Sequence, residues 1–327
     1  DAAGLLDLPG FSRFNLEGAG GAEWLSRQIT GAVPAPGRIG LAYFSDRKGR
    51  IVTEMSVVRH SESLMTLITA AAAQWHDFEL LQSRLPADGS LQLTDETEDY
   101  STLILCGPRS REILAAVCEA DLTRPWLTHQ TSHIVGNIVK LSRVSFAGEL
   151  GWEIHAATAD IPAVHTAVSE AGAPLGLKPF GMFALDSLRI EKGYRAWKGD
   201  LSTDYTLLQA GLERFIRWDK PDFIGKEALL AERERGPTKR FVTLVIEAGD
   251  FDAPYMSTLW HDGRVVGETT SGKWGHRLGK SLALGVARSD LAEPGTQLEV
   301  EIFGERYPAV VQPDGPLWDP QNERLKS

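Results

Sequence analysis

Phe146-Ala147-Gly148-Glu149-Leu150-Gly151-Trp152-Glu153-Ile154-His155 reads as a turn, Gly148 to Gly151, that delivers the chain into a short strand from Trp152 to His155. Val139 to Phe146 is the strand expected to pair with it. Two carboxylates, Glu149 and Glu153, stand beside glycine-permitted bends and a Trp. Further along, Leu188-Arg189-Ile190-Glu191-Lys192-Gly193-Tyr194-Arg195-Ala196-Trp197 puts cationic and aromatic side chains at the end of an amphipathic helix over Gly181 to Lys192. Together the two segments describe a pocket for a flat, amide-like heterocycle with an anionic tail.

Working outward toward the N-terminus, Phe11 to Leu16 alternates, Gly18 to Gly21 turns, and Ala22 to Ile29 has a helical period. Ile39 to Phe44 and Ile51 to Arg59 flank the turn Ser45 to Gly49, a hairpin signal. Leu64 to Thr69 is a strand. Ala73 to Leu85 carries the helical stripe Trp75, Phe78, Leu81 and Leu85, and Leu91 to Leu93 and Ser101 to Leu105 return to strand. This order suggests an α+β lobe of the split βαβ type. Helices are expected over Arg111 to Cys118 and Ala163 to Ala171. Past Gly236-Pro237-Thr238 the texture turns all-β, with an Asp262-Gly263 hairpin turn and another hairpin around Gly304, the pattern of a small barrel or sandwich.

At 327 residues, with 43% hydrophobic and 24% charged residues, the chain has material for two or three cored domains. A net charge of -10 argues against a nucleic-acid track, which needs clustered Lys and Arg. Two cysteines without a C-x-x-C indicate neither a disulfide framework nor a cysteine zinc site, and His129 and His133, without a Glu between them, read as a surface helix or loop pair. No apolar run reaches the ~18 residues that span a bilayer, and no signal peptide opens the chain, so a cytoplasmic location is the expectation. The start at Asp1 rather than Met leaves a processed or excised origin open. No G-x-G-x-x-G follows a strand, so no FAD or NAD site is expected. Gly275 to Ser281 has a P-loop look but the wrong spacing, and Ser281 opens a strand rather than a helix.

Glu153 is the residue to single out. A carboxylate accepts two donors from one edge of a heterocycle, which Asn or Ser cannot match. On composition alone a solvated strand Glu is the plainer reading. Glu149, in the turn, reads as solvent-facing or bonded to backbone. Trp152, Phe146, Tyr43 and Trp197 are candidates to stack on a flat ring or to pack a core. Arg189 and Arg195 suit a ligand carboxylate or a helix-surface ion pair. Glu54 shares strand parity with Val52 and Ser56, the more polar face, and alone reads as exposed.

In order and spacing, several segments resemble the folate-dependent aminomethyltransferase family. Its members include the glycine-cleavage T-protein and the folate-binding halves of dimethylglycine and sarcosine dehydrogenases. The segments are Gly4-Leu5-Leu6-Asp7-Leu8, Cys106-Gly107-Pro108-Arg109-Ser110, Gly148 to Glu153, Leu188 to Trp197, Phe223 to Leu229, Val266 to Gly272 and Lys280 to Leu284. The resemblance implies an α+β cloverleaf of three lobes. Residues 1–236 would form two α+β folate-binding lobes and residues 237–327 a C-terminal β-barrel. It also implies tetrahydrofolate in a central channel. The family's pterin-binding glutamate falls on Glu153, its pterin-flanking aromatic on Phe146, and its acid near the reactive nitrogens on Glu54, the catalytic candidate. Tyr43, His155, Arg189 and Trp197 complete the folate-binding set. Leu185 occupies the place of the T-protein's pterin-contacting Arg, and the Arg-Ala-Trp and Thr-Thr-Ser-Gly forms lean toward the dimethylglycine dehydrogenase branch.

The expected reaction is capture of formaldehyde, or of the iminium from a small methylated amine, to give 5,10-methylenetetrahydrofolate. A flavin-dependent dehydrogenase domain or subunit would be the partner. Alternatives are a stand-alone folate-dependent demethylase yielding 5-methyltetrahydrofolate, a glycine-cleavage T-protein, and a non-catalytic folate-binding protein.

Overall fold

The computed structural model describes residues 2–8, 10–249 and 251–327. By contacts the chain divides into two compact units that are interleaved in sequence. One comprises Asp1–Tyr43, Glu54–Gly181 and Asn322–Ser327; the other comprises Phe44–Thr53 and Met182–Gln321.

The first unit carries a six-stranded sheet in the order Leu177–Pro179, Ala3–Asp7, Tyr100–Cys106, Gly151–Ala157, Asn137–Ser142, His129–Ile134. All pairs are antiparallel except the first, which is parallel. A five-stranded sheet runs Ile39–Ser45, Ile51–Arg59, Leu64–Ala70, Phe11–Glu17, Gln92–Asp95. Helices Ser110–Ala115 and Ile161–Gly172 cover one face of the six-stranded sheet. There Leu103, Leu105, Ile113, Val164, Val168, Trp152 and Ile154 form a continuous core. Alternation dictates that placement: Trp152, Ile154 and Ala156 point into the core, and Gly151, Glu153 and His155 point to the other side. Gly151 itself is required by close approach, because a Cβ there would stand 2.9 Å from the Leu105 carbonyl oxygen.

Several expectations need correction. The strand expected over Val139 to Phe146 ends at Ser142, and Arg143 to Leu150 forms a loop, because Arg143 turns its backbone to Thr128 and Leu127 instead of the sheet. The helix expected to reach Cys118 stops at Ala115. The segment after it does not stay at the surface: His129–Ile134 is an edge strand, and His129 is buried. The strand near Leu91 is Gln92–Asp95. Helix Gln74–Gln82 leaves Trp75 72% exposed and buries Asp77, whose carboxylate takes Thr69 Oγ1 at 2.7 Å and His76 Nδ1 at 2.8 Å. Glu149 is buried and paired with Arg324 at 3.2 Å.

That pair belongs to a strap formed by the tail. Leu325 is buried, Arg143 Nη2 donates to the carbonyls of Lys326 at 3.0 Å and Ser327 at 2.8 Å, and Arg111 Nη2 reaches the Ser327 carbonyl at 2.6 Å. Arg111 and Arg143 also lie over the Trp152 ring, at 5.4 and 5.8 Å. The strap thus grips the loop that leads into the Glu153 strand.

The second unit is built on a closed six-stranded barrel in the order Lys239–Ile246, Lys280–Arg288, Arg264–Gly275, Thr258–His261, Gln297–Ile302, Glu305–Gln312. Val242, Leu244, Leu259, Ala283, Val300 and Val311 fill it. The turn Asp262-Gly263 has φ 47° and 72°, the left-handed pair of a tight hairpin that Asp-Gly announces in sequence. Gly275 and Lys280 bound another hairpin, so that segment is no phosphate loop. Helix Met182–Ile190 and the hairpin tip Phe44–Thr53 belong to this unit.

Candidate functional site

On the strand Gly151–Ala157, residues two apart share a face, so Glu153 and His155 stand side by side away from the hydrophobic core. Glu153 keeps 17% of its side chain exposed, while His155 keeps 1%. His155 Nδ1 lies 2.8 Å from Thr102 Oγ1, directly across the strand pair. Its Nε2 is 3.3 Å from Glu153 Oε2, close enough to attract but out of line for a hydrogen bond, so the nitrogen is buried without a donor–acceptor partner. Burial holds the His155 pKa below the usual range. Glu153 opposes that shift, and Arg13 and Lys140 reinforce it.

The polar face continues on neighbouring strands and meets the five-stranded sheet. Lys140 pairs in register with His155, and Ser142 with Glu153. His129 Nδ1 lies 3.3 Å from Ser142 Oγ, and the His129 ring meets His60 edge-on at 4.8 Å. His60 Nε2 rests 2.8 Å from Thr66 Oγ1. Arg13, buried on the strand Phe11–Glu17, lies 4.9 Å from the centre of the Tyr100 ring, and Lys140 lies 4.1 Å from it. Desolvation pushes His129 down to about 3 and His60 down to about 4, with the nearby cations adding to it. The face therefore holds neutral imidazoles, two cations and the Glu153 carboxylate. Thr102, Arg13, Lys140, His60 and His129 escape sequence reasoning. A lone Thr before the apolar run Leu103-Ile104-Leu105 was the one available signal.

Glu54 lies on the strand Ile51–Arg59 in the alternating pattern expected, but half-buried rather than exposed. Thr69 Oγ1 sits 3.2 Å from its carbonyl; the single hydroxyl proton serves the shorter contact to Asp77. Tyr43 is buried. Phe146 is half-buried in the Arg143 to Leu150 loop. Trp152, a stacking candidate from sequence, is 1% exposed in the core and presents no face to a ligand.

In the second unit, Arg189 is not at a helix surface. Its Nη1 donates to Asp200 Oδ2 at 2.6 Å and the Tyr194 carbonyl at 3.0 Å, its Nη2 to Ser271 Oγ at 2.9 Å, and its Nε to Asp186 at 3.3 Å. Asp200 also accepts Ala196 N at 2.8 Å and Thr270 Oγ1 at 2.6 Å. This buried pair locks the turn that carries Trp197. Trp197 is half-buried, with an indole N–H that has no acceptor among the described residues. Arg195 is likewise occupied, by Asp314 at 2.9 Å and the Phe241 face at 4.0 Å.

A reduced folate would fit the Glu153 face on chemical grounds. The ring's amine and N–H edge needs a reachable carboxylate, and the Glu153 side chain is 17% exposed.

Comparison with known proteins gives the family. The GCVT N-terminal domain matches residues 1–220, and the glycine cleavage T-protein C-terminal barrel domain matches residues 239–319. Human mitochondrial dimethylglycine dehydrogenase is 34% identical over 98% of this chain, which spans 38% of that relative's length. Mouse mitochondrial sarcosine dehydrogenase is 38% identical over 72% of the chain and 27% of the relative. An aminomethyltransferase of Saccharopolyspora erythraea is 31% identical over 95% of the chain and 85% of its own length. The crystal structure of the glycine cleavage system aminomethyltransferase T from Bartonella henselae shares the fold, with a TM-score of 0.84 at 24% identity over 95% of this chain and 85% of that one.

Proposed function

Because the chain belongs to the glycine-cleavage T-protein (GCVT) family, we propose that it transfers one-carbon units to tetrahydrofolate, capturing formaldehyde or the iminium left by oxidation of a dimethylglycine- or sarcosine-like amine. It is an enzyme of the aminomethyltransferase kind. Tetrahydrofolate, when bound, supplies the nucleophilic nitrogens, and the expected product is 5,10-methylenetetrahydrofolate. Glu153 accepts the amine and N–H edge of the pterin and fixes its orientation. Phe146 supplies a flat aromatic face, with Tyr43 as a further aromatic of the same unit, and Trp197 is the aromatic candidate of the other unit. Glu54 holds a negative charge beside the carbon that becomes cationic and orients the reacting nitrogens. Arg189, whose guanidinium bonds to Asp200, Ser271 and the Tyr194 carbonyl, holds the turn bearing Trp197. Oxidation of the amine belongs to a flavin-dependent partner domain or subunit.

The observation that carries this reading is the reachable Glu153 carboxylate on a family-matched strand. The test is to incubate the chain with tetrahydrofolate and formaldehyde and identify the folate product. Glu153→Ala should abolish folate binding, and Glu54→Gln should keep binding while turnover falls by about 100-fold or more. Unchanged affinity in Glu153→Ala would remove the clamp. A second reading, transfer from an aminomethyl-lipoyl carrier, is favoured by the 85% coverage of the S. erythraea aminomethyltransferase and opposed by Leu185. Supplying such a carrier in the same assay separates the two.

A further inference from the structure

We infer that His155 is a positioning residue for the Glu153 clamp: its tautomer is fixed by Thr102, and its Nε2–H draws Glu153 Oε2 into one rotamer while Oε1 stays available to the ligand. This rests on the folate reading above and adds to it a residue that acts through another.

A neutral imidazole has one N–H and one lone pair. Burial, with Arg13 and Lys140 nearby, keeps this one neutral. If the proton sat on Nδ1, the Nε2 lone pair would face a carboxylate oxygen 3.3 Å away in a dry environment, a repulsive arrangement. With the proton on Nε2, the Thr102 hydroxyl donates to Nδ1 across 2.8 Å and the carboxylate is attracted. Only the second arrangement suits both neighbours. Thr102 is itself held directly opposite His155 by the strand register, so the tautomer follows from the sheet. The Nε2–H is buried, and the carboxylate lies off its axis. A small rotation of the Glu153 side chain closes that bond, and a ligand drawing on the other oxygen favours the rotation, as site hydrogen bonds commonly tighten on binding. An imidazole in this place reduces the freedom Glu153 would otherwise lose when the ligand binds.

The test measures anaerobic tetrahydrofolate binding by the full chain carrying His155→Gln, His155→Asn, His155→Leu, Thr102→Val or Glu153→Ala, each with a thermal melt. The Gln amide nitrogen reaches the place of Nε2, whereas the Asn amide reaches only that of Nδ1. A hydrogen bond to a charged group predicts that His155→Gln stays within about threefold of wild type, while His155→Asn and His155→Leu weaken binding by about tenfold or more. Thr102→Val, which keeps the volume and frees the tautomer, should weaken binding by about fivefold or more. Equal losses in the Gln, Asn and Leu variants would assign His155 a packing role and overturn the inference. So would wild-type affinity in all three with Glu153→Ala inactive in binding. If the His155 variants fail to fold, wild-type affinity in Thr102→Val overturns it. Wild-type affinity in Glu153→Ala removes the clamp itself, a separate failure.

Discussion

His129 and His60 lie in the same polar seam as His155, and their titration reports how dry it is. Their folded values of about 3 and about 4 lie below the ordinary 6.5, chiefly through burial, then through His60, His155, Lys140 and Arg13 for His129 and through Lys140 and Arg13 for His60. Between pH 6.5 and 4 the unfolded chain binds protons that the folded chain refuses. Stability is therefore full above the unfolded value and drains as pH falls toward the folded ones. Urea midpoints should decline across pH 6.5 to 4.5, above most carboxylate titration, and His129→Gln should make that decline shallower; an unchanged slope would mean a wet seam. None of this was legible in sequence. His60, His129 and His155 come from separate segments and become neighbours only through strand register and the meeting of two sheets. Glu153 was legible as a strand residue by alternation, and its importance came through the family resemblance.

At the scale of elements, two small turns bear unusual weight. Gly225 has φ +86°, and a Cβ there would stand 2.3 Å from the Asp46 carbonyl oxygen at the tip of the hairpin that leads to Glu54. Gly225→Ala should cost at least about 2 kcal/mol in chemical denaturation, from the left-handed backbone and a backbone clash together. The Arg189–Asp200 pair makes the same point for the Trp197 turn. Asp200→Asn leaves a buried guanidinium without its counter-charge and should destabilise the chain by about 3 kcal/mol, seen as a lower melting temperature. The hairpins at Asp262-Gly263 and Gly304 could be read directly, because turn chemistry is local. The phase of helix Gln74–Gln82 could not. Apolar spacing put Trp75 inward, but the buried Asp77, satisfied by Thr69 and His76, sets the face that packs. The strand His129–Ile134 was missed because its composition is polar and its partner Asn137–Ser142 had first to be bounded.

For the whole molecule, the comparisons establish the family and the sheets and barrel establish the fold; the tail strap is the part that neither composition nor periodicity signalled. Removing residues 322–327 strips Leu325 from its site and the carbonyl acceptors from Arg111 and Arg143. Burial of one Leu alone is worth about 2 kcal/mol, so the truncated chain should unfold at lower urea, with faster amide exchange in residues 143–150. Unchanged exchange in that loop would show that the strap is ornamental. The interleaving of the two units has a consequence for biosynthesis. A ribosome releases Phe44–Thr53 long before Met182–Gln321 exists to receive it, and releases Asn322–Ser327 after both. The second unit cannot pack Phe44–Thr53 until Met182–Gln321 has emerged. Until then the hairpin tip stays uncovered by that unit and needs shelter from other chains.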